Sequence, residues 1–425
     1  MEEGRGRRKK CLQPERGAGG KRREAAPPSA KKRGLIRNKT VRAALVGGPM
    51  YDGLYDRIPE FERSSGLRVE VVVRLTHPEL NAWVKQAFAG GSPDIDLLST
   101  HTKYAPSQVQ WLAPLDGLVS DVHLADLLPR PAELSRIEGQ LVQVPRNLDV
   151  RLLHYRRDWL GDNVPDTWTQ LAEVAQSLTT DAAAGFLFPG RESGLFGTFY
   201  ELLVGAGGEL FDAQLRPAFD SPEGVWAVAF LTDLHLVKRV TPRALPGWHY
   251  DEISAEFRAG RAAMVCDWPG SYHLYRDPST CVAADRLGLA QLPAGPAGPR
   301  SAYAGCHSFA VPRSAANPEG GFALLRELTS VEAQVAEAQL GSIPCRRSAL
   351  ASIQQESQAD PALADRWQLL ARTEETMIMP PRFAAYPGCE DAIWKAVQRA
   401  MTGDWSPRQA VARAAEDVRE IVNKA

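Results

Sequence analysis

The sequence predicts a mixed α/β fold built as two lobes, and three observations carry that expectation. Near the front of the chain, strand and helix signals alternate as strand, helix, strand, helix, strand, the pattern of a parallel sheet covered on both faces. A second region of α/β pattern follows from about residue 167. Between the two lie short extended runs rather than one linker, which implies more than one connection between the halves.

The elements follow in order. VRAALVG is a short β-branched and apolar run closed by Gly47, Gly48 and Pro49, and in YDGLYDRIPEFERSSG the residues Leu54, Ile58 and Phe61 sit at helical spacing before a glycine stop. LRVEVVVRL reads as a strand. HPELNAWVKQAFAGGSP sets Leu80, Val84 and Phe88 on one helical face, and DIDLLST is a third strand. Around 139–160 the pattern becomes short and extended, until Thr167 caps the helix TWTQLAEVAQSL. Beyond it, FGTFYELLVGAGG and SPEGVWAVAFLTDLHLVKRV are helical, the second with Pro222 at its first position, and ELFDAQLRPAFD between them reads as a hairpin. EISAEFRAGRAAMVC is helix then strand; LGLAQLPAGPAGPRSAYAGCHSFAVP is two strands around a Gly/Pro loop; NPEGGFALLRELTSVEAQVAEAQL is a helix pair. From Asp360 to Ala425 the chain is helical, interrupted at MPPRFAAYPG.

Composition is that of an ordinary soluble protein, 44% hydrophobic and 24% charged over 425 residues, enough for two or three domains. The net charge of −1 conceals an asymmetry: residues 1–40 carry 14 of the 50 Lys and Arg but only 4 of the 51 Asp and Glu. That stretch has almost no apolar residues and is read as a disordered basic tail. It has no apolar core of a secretory leader, and KK before Cys11 does not suit lipid attachment. No window approaches a membrane span. The six cysteines lack metal-ligand spacing, so no metal and no cofactor is expected, and they are read as free buried thiols, with Cys266 and Cys281 the one pair placed to cross-link in an oxidising compartment.

Several segments, in order, resemble the extracellular solute-binding proteins of ABC importers, in particular the carbohydrate-binding, maltose- and trehalose-binding-like group. They are GGSPDIDLLST with WLAPLDGLV; VPRNLDVRLLHYRRDWL with NVPDTWTQL; GGELFD with FDSPEGVWAVAFLTDL; FRAGRAAMVCDWPG; and FAVPRSAANPEGGFALLRELTS with GSIPCRRSAL. The resemblance implies a two-lobe, periplasmic-binding-protein-like (type II) fold whose hinge is crossed about three times, near Pro145–Asp149, Ala302–His307 and Ile343–Arg347. It places residues 41–148 and 307–345 in lobe one, and 149–306 and 346–425 in lobe two. It also implies a non-enzyme that closes on a sugar or oligosaccharide and delivers it to ABC permease subunits in the membrane, outside the cytoplasm, as a monomer with no specific nucleic-acid partner.

A sugar offers a rim of hydroxyls and an apolar C–H face, so its site needs flat aromatics together with carboxylates, amides or arginine, gathered at the carboxyl ends of sheet strands. Trp268, Gly270 and Tyr272 follow the strand AAMVC and fit that place, Trp268 foremost by resemblance. Asn147 and Asp149 lie near the first crossing; Thr100 and His101 follow the third strand; Tyr51 and Asp52 follow the first. Gly305 and His307 sit at the second crossing, where Cys-His departs from the commoner Gly-Gly-Trp pattern of the family, and Arg382 lies in the C-terminal interruption. Each has a plain structural alternative: packing under a loop for the aromatics, helix capping for the threonine, a salt bridge for the charged groups. Two rival functions remain at this stage: a cytoplasmic two-lobe sensor without a transporter, favoured by the missing leader, and an enzyme built on Cys306-His307 or on Asp149 with Asp267. Neighbours on a strand point to opposite faces, which argues against the Cys-His pair.

Overall fold

A computed structural model describes residues 39–48 and 50–424. The basic tail lies outside the described residues except for Lys39 and Thr40, and so does Cys11. The strands are β1 (Thr40–Val46), β2 (Arg68–Leu75), β3 (Leu97–His101), β4 (Arg136–Ile137), β5 (Gln140–Leu141), β6 (Val144–Val150), β7 (Leu152–Arg156), β8 (Ala184–Leu187), β9 (Ala262–Asp267), β10 (Leu287–Ala290), β11 (Ala302–Ala310), β12 (Ile343–Pro344) and β13 (Met377–Ile378).

They form a seven-stranded sheet in the order β12-β6-β11-β3-β1-β2, with β13 paired to the start of β11, and a four-stranded sheet in the order β10-β7-β9-β8. β1 runs parallel to β2 and β3, as the alternating pattern predicts. Beyond those three strands the sheet is mixed: β11 enters antiparallel between β3 and β6, and β13 runs parallel to its start. Helix His77–Ala89 buries Leu80, Val84 and Phe88 against one face of the large sheet, and Thr76 with Glu79 closes its start as a reciprocal cap. Leu324, Leu325 and Leu328 of helix Pro318–Leu328 cover the other face.

The four-stranded sheet has its own, larger core. Leu195, Phe196, Phe199 and Leu203 of helix Glu192–Gly205 pack there with Trp168, Phe186 and Phe219. Thr167 caps helix Trp168–Leu178 and Ser221 caps helix Pro222–Thr232. The expected hairpin at ELFDAQLRPAFD is only one bridge, Phe211 to Pro217. Asp212 explains this: its carboxylate accepts from the backbone of Gln214 and Arg216 and folds the segment into a local turn. The described cysteines are all free and buried; Cys266 and Cys281 are not bonded to each other. No helix among the described residues is long and apolar enough to cross a membrane.

The chain leaves the large sheet at Val150 and enters the small one at Leu152, so Arg151 stands alone at the crossing. Its guanidinium is fully buried and pairs with Glu201, while also donating to Thr198 Oγ1 (2.9 Å), Tyr250 Oη (3.1 Å) and the Gly194 carbonyl (3.0 Å). Glu201 in turn accepts from the backbone N–H of Tyr303 on β11 (2.8 Å). One buried carboxylate thus ties the junction of β6 and β7 to the start of β11.

Candidate functional site

Register assembles the floor of a cleft. β3, β11 and β6 lie side by side with His101, His307 and Asn147 in one rank, and side chains of one rank emerge on one face. The rings of His101 and His307 are 4.9 Å apart. His77, at the first position of its helix, adds a third ring, 4.8 Å from His101 and 4.9 Å from His307, and Tyr51 sets its edge 4.8 Å from His307. Gly305 lies two residues before His307 on the same face. A Cβ there would stand 2.5 Å from His101 Nε2, so the imidazole can lie over the strand only because that position has no side chain.

Asp149 faces Gly305 across the ladder and accepts from Asn147 Nδ2 at 2.9 Å. Burial pushes its carboxyl up to about 7, against the pull of the Asn147 hydrogen bond. His307 Nε2 is 3.7 Å from Asp149 Oδ2. Burial pushes that imidazole down to about 3, so the two do not make a charged pair near neutral pH. His101 and His77 are likewise held well below the usual range, by burial and then by the neighbouring imidazoles. The floor is therefore a set of uncharged hydrogen-bonding rings beside one carboxyl that titrates near neutrality. Beneath it, Arg146 on β6 pairs with Glu337 (2.6 Å) and donates to Tyr51 O (2.8 Å), fixing the loop that carries Tyr51.

The facing wall comes from the second core. Trp268 follows β9, half-buried, tilted against Tyr250 (5.5 Å) and Tyr303 (5.8 Å). Asp267 behind it is fully buried, accepts from Tyr275 Oη and the Trp268 N–H, and is raised to about 6 by burial. The starts of helices Glu192–Gly205 and Tyr250–Arg258 bring Arg191, Glu192, His249 and Glu252 to the rim, with Arg191 Nη1 2.7 Å from Glu192 Oε1. Burial lowers His249 to about 4. The cavity between these walls is about 210 Å³. Two of its buried polar atoms, His77 Nε2 and His249 Nε2, have no hydrogen-bond partner among the described residues.

Of the residues singled out from sequence, Tyr51, His101, Asp149, Trp268, Gly305 and His307 line this cavity together. Six others do not. Thr100 Oγ1 donates to Gln108 (2.7 Å) behind the sheet; Asn147 acts on Asp149; Asp52 accepts from Gly48 N (3.0 Å) and pairs with Arg74. Gly270 packs on Met50, Tyr272 is buried under Arg366 and Arg276, and Arg382 donates to the carbonyls of Leu134 (3.0 Å) and Arg136 (2.9 Å) at a separate cavity. Cys306 is fully buried with its thiol 3.9 Å from that of Cys345, on the side of β11 away from His307. Sequence reasoning missed His77, Lys103, His249, Tyr250 and Tyr303. Only His77 carried a signal, as a polar residue at the helix start after a strand.

Residues 56–365 match the model of the bacterial extracellular solute-binding proteins. Among curated proteins, a "Probable ABC transporter-binding protein" of Deinococcus radiodurans is 26% identical over 60% of this chain and 62% of its own length. A "Mannitol-binding protein" of Pseudomonas aeruginosa is 28% identical over 49% of each chain. The chain thus spans about half to three fifths of these relatives. Among solved structures, maltose-bound MalE3 of T. maritima superposes with a TM-score of 0.83 at 26% identity, covering 90% of this chain and 99% of that one.

Proposed function

The chain belongs to the bacterial extracellular solute-binding proteins, and on that premise we propose that it is the solute-binding subunit of an ABC importer, taking a small sugar or polyol into the cleft between its two sheets. The observation that carries this reading is the pairing of an uncharged imidazole floor with Trp268 across about 210 Å³. A neutral polyhydroxylated solute is held by hydrogen bonds from neutral and charged groups alike, and the charged side chains of Lys103, Arg191, Glu192, Asp251 and Glu252 also line the cavity. Such a solute gains from donors and acceptors that remain unpaired in its absence, such as His77 Nε2 and His249 Nε2, and from a flat ring against its C–H face. The cavity is small against the ~300–1,000 Å³ common for ligand pockets, which favours a monosaccharide or hexitol over a long oligosaccharide. The mannitol named for the P. aeruginosa relative has that size, and the maltose bound by the T. maritima protein is the next larger case.

In this reading the lobes turn about Arg151, the start of β11 and the segment after β12, with the large sheet in one lobe and the small sheet in the other. Delivery to a permease follows from the family, and no covalent step is required. The test is a thermal-shift screen of hexoses, hexitols and disaccharides, since a ligand that binds only the native state must raise its melting temperature. At least one six-carbon sugar or polyol is expected to raise it, and Trp268→Ala is expected to abolish that rise while melting as a folded protein. A screen in which no sugar or polyol shifts the wild-type protein would sink the assignment.

A further inference from the structure

A second cavity, about 300 Å³, lies at the outer edge of the small sheet, between β10, the short helix Tyr272–Arg276 and helix Pro361–Glu374. It shares no lining residue with the cleft. Its lining is dominated by one kind of charge: Arg157, Arg276, Arg366 and Arg372 against Asp285 and Asp365.

Arg366 is the residue that needs explaining. Its side chain is 2% exposed, and its guanidinium lies between the rings of Tyr272 (4.8 Å) and Trp367 (4.7 Å). It donates to the Gly341 carbonyl, but no carboxylate among the described residues pairs with it, and its Nε is buried without an acceptor. This differs from the other fully buried arginines: Arg146 has Glu337 and Arg151 has Glu201. Taking a guanidinium out of water costs several kcal/mol unless a counter-charge meets it, and stacking on two rings offsets only part of that. Burial depresses its pKa to about 10, the direction expected of a cation without a partner. Around it the nearby cations are under-used. Arg157 donates to the Asp285 carbonyl (3.2 Å), Arg276 to the Tyr272 hydroxyl (3.0 Å) with Asp360 at 3.7 Å, and Arg372 has no ion pair among the described residues.

We propose that this arginine-lined cavity is a binding site for a small tetrahedral oxyanion, phosphate or a phosphate monoester, with Arg366 at its base and Arg276 and Arg372 at its mouth. Planar guanidinium forks match the oxygens of such an anion in pairs. The apolar walls from Tyr155, Leu287 and Leu289 leave room for a small organic group beyond the phosphate.

The full chain is titrated calorimetrically with inorganic phosphate and with glycerol 3-phosphate, against chloride at matched ionic strength. Saturable one-to-one binding of at least one of them is expected, and the tighter of the two identifies the source of the anion. Arg372→Glu, at an exposed position, should weaken it at least tenfold while leaving binding of the cleft solute unchanged. Arg366→Lys keeps a charge but loses the fork and the stacking, and should weaken it similarly if the variant folds. Absence of saturable heat with both anions, or an Arg372→Glu protein that titrates like wild type, overturns the site without touching the reading of the cleft.

Discussion

Two buried polar regions lie within a few residues of each other and are built on opposite plans. At the crossing between the sheets the buried arginines have their counter-charges, Arg151 with Glu201 and Arg146 with Glu337. On the cleft floor nearby, His77, His101 and His307 are held neutral, and His77 Nε2 is left without a hydrogen-bond partner among the described residues. A buried polar atom is expensive in either place. The crossing pairs its polar groups with one another and so fixes geometry; the floor leaves His77 Nε2 open, which the proposed reading gives to a solute. The difference separates residues whose loss should unfold the protein from residues whose loss should empty it.

The largest expected effect lies on the crossing. Glu201→Gln is nearly isosteric but leaves the Arg151 charge buried without its partner and weakens the hold on Tyr303 N–H. Breaking such a pair costs ~3–5 kcal/mol, to be read in urea unfolding. A loss under 1 kcal/mol would mean that the pair is replaceable and that the contrast with the floor is mistaken.

Gly305→Ala tests the floor with a single methyl group. The added Cβ would collide with His101 Nε2, and because that atom belongs to a ring held by neighbours rather than to a flexible chain tip, His101 must swing off His307 or the strands must part. Overpacking of this kind costs ~1–3 kcal/mol, and solute affinity should fall further than stability does. Equal affinity in the variant would show that His101 is not needed where it stands.

How far the sequence reaches is plain in the same two regions. The first sheet's opening strands and helices are legible because each is a local pattern: Leu80, Val84 and Phe88 share one helical face whatever the rest of the chain does. The two-residue strands β12 and β13 are too short for any periodicity, and helix Arg347–Ser357, polar in composition, gives little signal of its own. Trp268 could be picked out because it follows a strand, where ligands gather, and Asp149 and His307 because their places resemble the family's cleft positions at the crossings. Tyr272, after the same strand, and Arg382, by resemblance to the family's C-terminal cleft segment, could be picked out too and yet point elsewhere, since the direction of a side chain in a loop is settled by what packs against it. The triad of His77, His101 and His307 depends on the antiparallel register of β11 against β3, a pairing across some two hundred residues that leaves no trace in local spacing.

The finest test of the comparison is the pH dependence of stability, because Asp149 and the histidines pull in opposite directions over one window. Asp149 is raised from the ordinary carboxyl value to about 7, so its contribution to stability is fully present below about pH 4 and is lost as pH rises through 7. His307 and His249 are depressed to about 3 and about 4, so theirs is present above about pH 6.5 and is lost as pH falls toward those values. Between pH 7 and 5 the folded protein therefore gains from Asp149 while it loses from the imidazoles. Asp149→Asn removes the gain and keeps the loss. The variant's unfolding free energy should drop more steeply than that of wild type over this interval, by about 1–2 kcal/mol. Unfolding curves at pH 7, 6 and 5 decide it: parallel profiles for the two proteins would mean that Asp149 is ionised throughout, and that the cleft floor carries a fixed negative charge where a neutral solute would have to bind.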